Sequence, residues 1–206
     1  MSRGRLITIE GVDGAGKTTL ASALANTLSN RGFEVRTLRE PGGVPAAERV
    51  RELVKDPALH IAPRAEALLY AAARAQLVEE AIAPMLEHGT WVLLDRFVDS
   101  SLAYQGAGRR LGVEEVKEIN SFATGGLRPD RTLLLTLAPT VGRERLRSRA
   151  EPPDRLEAED EEFFARIGSA YLELAERDPE RVRVIDASGA PQQVLGAALE
   201  QLADLI

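Results

Sequence analysis

A chain of 206 residues that is 44% hydrophobic and 28% charged can bury one sizeable core, with at most a small appended lid. Lysine and arginine number 26 against 32 aspartates and glutamates, a formal charge of −6 that argues against a general electrostatic grip on nucleic acid or an anionic membrane. The chain has no cysteine and only two histidines, His60 and His88, far apart; disulfides, thiolate metal sites and a Cys nucleophile are excluded, and a multi-histidine metal site is not expected. No run approaches the ~18 apolar residues of a membrane span. The apolar stretch Leu6–Ile9 is too short for a secretory signal, so a cytoplasmic protein is expected.

Short β-type runs alternate with longer helical patterns, the signature of an α/β protein with a mostly parallel sheet. Arg5–Glu10 reads as the first strand. A helix is expected from Lys17 to about Arg31, with Leu20, Leu24 and Leu28 on one face and Gly32 as its stop. Phe33–Leu38 is a second strand, ended by Pro41-Gly42-Gly43. A short helix over Ala46–Val54 precedes a long one from Pro63 to Glu87, kinked near Pro84. Trp91–Leu94 is continuously apolar, as a central strand buried on both faces would be. Helix over Val113–Thr124, strand over Thr132–Leu137 and helix over Val141–Arg149 follow, the last broken by Pro152-Pro153. Phe163, Phe164, Ile167, Tyr171 and Leu174 mark another helix, Val182–Ile185 a fifth strand, and Pro191–Ile206 a closing helix. Residues 1–206 read as one domain without repeats.

Gly11-Val12-Asp13-Gly14-Ala15-Gly16-Lys17-Thr18 fits G-x-x-x-x-G-K-[ST] between an apolar strand and a helix. Its glycines let successive N–H groups face an anion, and the helix adds its positive end. Lys17, one of three lysines in the chain, can reach the β/γ-phosphates, and the Thr18 hydroxyl can ligate Mg²⁺. A guanine-reading N/T-K-x-D element is absent, since Lys55 and Lys117 precede Asp-Pro and Glu-Ile. At this size the pattern points to a small-molecule kinase.

Asp95-Arg96 follows the third strand. There the carboxylate can hold Mg²⁺ and the arginine a transferring or accepting phosphate, though a surface ion pair is the plain alternative. Tyr70 and Arg74 are four apart on one helix face, an aromatic plane beside a fork-shaped donor. They suit a nucleobase pocket, or else a packed tyrosine beside a solvated arginine. Glu157, Glu159, Asp160, Glu161 and Glu162 read as the charged start of a helix, and the two histidines as surface residues.

The blocks ITIEGVDGAGKTT, LREPGG (38–43), LLYAAARAQLVEE (68–80), LLDRFVDSSLAYQGAGR (93–109), LRPDRTLLL (127–135), RLRSRAEPPDRLE (145–157) and VIDASG (184–189) resemble, in order and across nearly the whole chain, the bacterial thymidylate kinases. The resemblance implies a P-loop nucleoside-monophosphate kinase fold, a five-stranded parallel sheet flanked by helices with a small lid at about 143–156. It implies ATP-dependent phosphorylation of dTMP to dTDP for dTTP biosynthesis, with Mg²⁺, in a homodimer. Carried over by position, residues 11–18 bind ATP, and Thr18 and Asp95 hold the metal. Asp13 receives the deoxyribose 3′-hydroxyl, Pro41 lines the base side, Tyr70 stacks on thymine and Arg74 reads its O4. Ser101 contacts the base, Tyr104 crowds the 2′ carbon, and Arg51 and Arg96 bind the acceptor phosphate.

The middle of the loop, Gly14-Ala15, is uncharged, whereas the lid carries Arg143, Arg145, Arg147, Arg149 and Arg155. This resembles the lid-arginine type, with Lys17, Arg96 and either Arg149 or Arg155 expected to stabilise transferring charge. A monophosphate kinase for another base, or a non-catalytic nucleotide-binding interaction protein, are the competing readings.

Overall fold

The computed structural model describes residues 3–138, 141–142, 145 and 154–206. Five strands, β1 (Leu6–Glu10), β2 (Val35–Arg39), β3 (Trp91–Asp95), β4 (Arg131–Thr136) and β5 (Val182–Asp186), form one parallel sheet in the order β2-β3-β1-β4-β5. Every residue of β1 is buried, because helices cover both faces of the sheet. The strand order reverses at β1, so the chain leaves it into the crevice where α/β folds bind ligands.

Alternation along β1 sorts the two core layers. Ile7 and Ile9 face α1 (Lys17–Asn30), whose Leu20, Leu24 and Leu28 supply the expected stripe. Leu6 faces the opposite layer with Leu77, Ile82, Leu86 and Phe97. On the first side, α8 (Pro191–Glu200) adds Val194 and Ala198; it is shorter than expected, and turn residues after it bring in Leu202.

On the second side lie α2 (Pro45–Lys55), α3 (Pro63–Leu77) and α4 (Ala83–Glu87). The interruption expected at Pro84 is a π-helical turn, Val78–Ile82, just ahead of it. A proline leaves the carbonyl four residues back without its N–H partner, and a wider turn upstream absorbs the mismatch.

No element is expected from sequence over 98–108. The structure has α5 (Val98–Ser101) running into a π-helical turn, Leu102–Gly108. Its serines and glycines are weak helix formers, but packing decides: Ala103 and Tyr104 join Phe163, Ile167 and Tyr171 in a third cluster. A Cβ at Gly108 would sit 2.7 Å from the Phe163 ring, so only glycine permits that approach.

Two further helices among the described residues are α6 (Val113–Ala123) and α7 (Glu161–Arg177). Asp160 caps α7 by accepting from the Phe163 N–H, so the charged run 157–162 divides into a turn, a cap and a first turn. Val141, Gly142 and Arg145 are helical; most of the expected lid, including Arg143, Arg147 and Arg149, lies outside the described residues. Among the described residues no helix is long and apolar enough to cross a membrane, and both histidines are exposed.

Leu24 is completely buried, so Leu24→Ala should cost about 2–5 kcal/mol, read as a lower urea midpoint with an unchanged m-value.

Candidate active site

The loop 11–18 joins β1 to α1 and wraps the mouth of a cleft of about 540 Å³. Asp13, Gly14, Gly16, Lys17 and Thr18 line it; Gly11, Val12 and Ala15 belong to the same loop but not to the lining. Gly14 has φ 81°, and a Cβ there would come within 2.5 Å of the Gly142 carbonyl. A longer side chain, basic ones included, is barred from that position in this conformation by backbone geometry and by the start of the lid segment.

Lys17 is buried, its Nζ donating to the Gly11 and Val12 carbonyls at 3.0 and 2.9 Å. Burial and the nearby Arg96 lower its ammonium pKa to about 8, against the opposing pull of Asp13, Asp95 and Glu10. The Thr18 hydroxyl donates to Asp95 Oδ2 at 2.7 Å, which brings the two expected metal ligands together where β3 ends beside the loop. Among the described residues no group of three or more His, Cys, Asp or Glu side chains forms a metal cage. One hydroxyl and one carboxylate fit Mg²⁺, a hard cation that takes its other ligands from water and phosphates.

A second cleft of about 550 Å³ adjoins the first. All eight residues expected to bind the acceptor line it: Asp13, Pro41, Arg51, Tyr70, Arg74, Arg96, Ser101 and Tyr104. Asp13, Glu40, Arg51 and Arg96 line both clefts, so the two are continuous.

Arg96 sits at that junction with φ 71°, left-handed backbone that costs a non-glycine residue ~1–3 kcal/mol. Its Nη2 donates to Asp13 Oδ1 at 2.7 Å and to the Tyr104 hydroxyl at 3.2 Å, and its guanidinium lies 4.9 Å from the Tyr104 ring centre. Tyr104 in turn donates to Asp13 Oδ2 at 3.1 Å. Burial works to raise the Asp13 pKa, but Arg96 and Lys17 hold the carboxyl well below the usual range, so it stays an acceptor.

What secures this backbone is a residue the sequence reading passed over. Glu10, fully buried at the end of β1, accepts from the Phe97 N–H at 2.7 Å, the Ser100 hydroxyl at 2.5 Å and the Tyr171 hydroxyl at 3.0 Å. The peptide following Arg96 is thus tied to the strand that carries the phosphate loop. Burial, then Asp99, raises the Glu10 pKa, while its donors pull it down. The available signal was a carboxylate closing an otherwise apolar strand.

Arg74 is buried and committed to the protein. Nε donates to Glu40 at 2.7 Å, Nη1 to the Ser101 hydroxyl at 3.0 Å and to Asn120, and Nη2 to the Phe97 carbonyl at 2.9 Å. Burial pushes the Glu40 pKa up to about 7 even beside this arginine, and Glu40 Oε1 is buried without a hydrogen-bond partner. Arg51 donates to the Pro41 carbonyl at 2.9 Å. Tyr70 lines the cleft one helical turn before Arg74, and burial followed by Glu66 raises its phenol pKa.

The two candidates for stabilising transferring charge part company. Arg149 lies outside the described residues. Arg155 turns to α3, with Nη2 2.7 Å from Glu66 Oε2, while its neighbours Asp154 and Leu156 line the second cleft. Arg145 approaches the Gly14 and Ala187 carbonyls at 3.5 and 3.4 Å.

The thymidylate kinase family profile matches residues 9–197. A thymidylate kinase of Deinococcus radiodurans is 49% identical over 97% of this chain and 96% of its own length. One from Alkalilimnicola ehrlichii is 44% identical over 100% and 95%, and one from Enterococcus faecalis 45% over 97% and 96%. The chain belongs to the thymidylate kinase family.

Glu10→Ala strands several buried donors and should cost about 3 kcal/mol or more of stability, whereas Glu10→Gln keeps an acceptor for the Phe97 N–H and should cost less. Urea denaturation of both variants checks the order.

Proposed function

We propose that this member of the family transfers the γ-phosphoryl group of ATP to a phosphate oxygen of dTMP, giving ADP and dTDP. The observation that carries the reading is the continuity of the two clefts through Asp13, Glu40, Arg51 and Arg96. A donor seated on 11–18 and an acceptor beside Tyr70 and Arg74 then meet end to end at Arg96.

The acceptor phosphate is anionic near neutral pH, so no general base is required, and catalysis is positioning and charge neutralisation. Lys17 and the loop N–H groups hold the donor phosphates; Arg96 and Arg51 hold the acceptor phosphate. Bound Mg²⁺, held by Thr18 and Asp95, supplies neutralisation of the polyphosphate charge. Arg149 is assigned the role of the lid arginine on the transferring group.

Asp13, kept ionised by Arg96, accepts from the 3′-hydroxyl, and Tyr104, bonded to Asp13, fills the space a 2′-hydroxyl would need. Tyr70 supplies the stacking plane for thymine. Arg74 presents an edge whose donors are already oriented by Glu40, Ser101 and Asn120, so base reading shares those hydrogen bonds rather than organising a free side chain. The family resemblance supports a homodimer, and a cytoplasmic setting belongs to the same reading.

An ADP-release assay across dTMP, dUMP, AMP, GMP and CMP tests the reading. Turnover is expected with dTMP foremost, and preference for a purine monophosphate would overturn it. Neutral Lys17 holds phosphate poorly, and its ammonium loses the proton as pH rises through about 8. kcat/KM for ATP should therefore fall above about pH 8, approaching tenfold per unit, and a flat profile to pH 9.5 would contradict the role given to Lys17.

A further inference from the structure

Glu66 has no task in the transfer just described, yet it is completely buried on the first turn of α3. An acid there suits the helix dipole, but a dipole does not require removal from water, and a buried carboxylate without partners is costly. Its partners account for it. Arg109 approaches from one side, Nε to Oε1 at 3.2 Å and Nη2 to Oε2 at 3.1 Å, and Gln105 donates to Oε1 at 3.0 Å. From the other side comes Arg155, its Nη2 2.7 Å from Oε2 in an ion contact whose angle falls outside hydrogen-bond geometry. Arg109 Nη1 reaches on to Glu159 at 2.5 Å, so two carboxylates and two guanidiniums balance.

Arg155 belongs to a turn with two further moorings. Its Nε donates to the Val54 carbonyl at 3.0 Å, and Asp154 pairs with Lys55 at 2.9 Å. The turn is internally set by Asp154 Oδ1, which accepts from the N–H groups of Leu156 and Glu157 at 2.9 and 3.0 Å. Asp154 and Leu156 form part of the acceptor cleft wall. Along α3, Glu66, Tyr70 and Arg74 are spaced by four and lie on one face. The residue that moors the wall therefore stands on the helix face that carries the residues assigned to the base.

We propose that Glu66 is a positioning residue for the acceptor: through Arg155 it fastens the 154–156 turn against α3 and so sets the width of the cleft beside Tyr70. Arg155 then acts on the shape of the acceptor pocket, not on the transferring phosphoryl group. The inference rests on the functional reading above, because the wall matters only if the cleft holds the acceptor.

The test is a kinetic cycle on the full chain with ATP, Mg²⁺ and dTMP, comparing wild type, Glu66→Gln, Arg155→Gln and the double variant. KM for dTMP should rise about tenfold in each single variant while KM for ATP stays within about twofold, and the double variant should be at most about twofold worse than the worse single one. Arg155→Lys, which keeps the charge without the fork, should recover part of the loss. An unchanged KM for dTMP, with or without a fall in kcat, overturns the proposal; so do additive losses in the double variant or equal rises in both KM values. If Glu66→Gln does not fold, the contrast between Arg155→Gln and Arg155→Lys decides on the same split. A wild-type enzyme that favours another monophosphate defeats the functional reading separately, and the cycle is then run with that acceptor.

Discussion

One ion pair joins the two halves of the site. Arg96 and Asp13 approach to 2.7 Å across the mouth of the sheet, one following β3 and the other within the loop that follows β1. Both line both clefts, so their separation sets the distance between anything held by the phosphate loop and anything held near Tyr70. The pair stands because Arg96 is kept in a left-handed backbone conformation, and that conformation stands because Glu10 binds the next peptide N–H. Strain at a functional residue is thus offset by a fully satisfied buried carboxylate one strand away.

The chain carries net negative charge, yet the cleft at the phosphate loop gathers Lys17, Arg39, Arg51 and Arg96 beside Asp13, Glu40 and Asp95. Burial, and after it the neighbouring Arg96, lowers the pKa of Lys17, so gathering cations in a buried place carries a cost. Asp13 partly relieves that cost without leaving the site, and Asp95 stands where a divalent cation is expected. Such a surface attracts phosphate groups locally although the net charge of the molecule is negative.

The second cleft shows a different economy of freedom. Every nitrogen of the Arg74 guanidinium has a protein partner, and Tyr104 is fixed between Arg96 and Asp13. Side chains already held in place lose little entropy when a ligand arrives, so recognition draws on geometry prepared by folding. The cleft wall at 154–156 is likewise held in place, from within by Asp154 Oδ1 and from α3 by Glu66 through Arg155.

Much of this is legible in residue order alone. The apolar strand, glycine loop and Lys-Thr helix start read directly, because that motif is contiguous and its physics local. Tyr70 and Arg74 share a face by helical spacing, and β3 announces its central place through unbroken apolarity. The segment 98–108 is not legible, since its serines and glycines favour no helix and only burial against Phe163 and Tyr171 makes it one. Nor are Glu10, Glu66 or the partners of Arg155. A carboxylate in a sequence carries no mark of whether it will meet solvent, a cation or a row of N–H donors, because those neighbours come from strands and helices tens of residues away. Local chemistry determined the class of ligand, whereas the packing of distant elements decided which charges face it and which hold the others still.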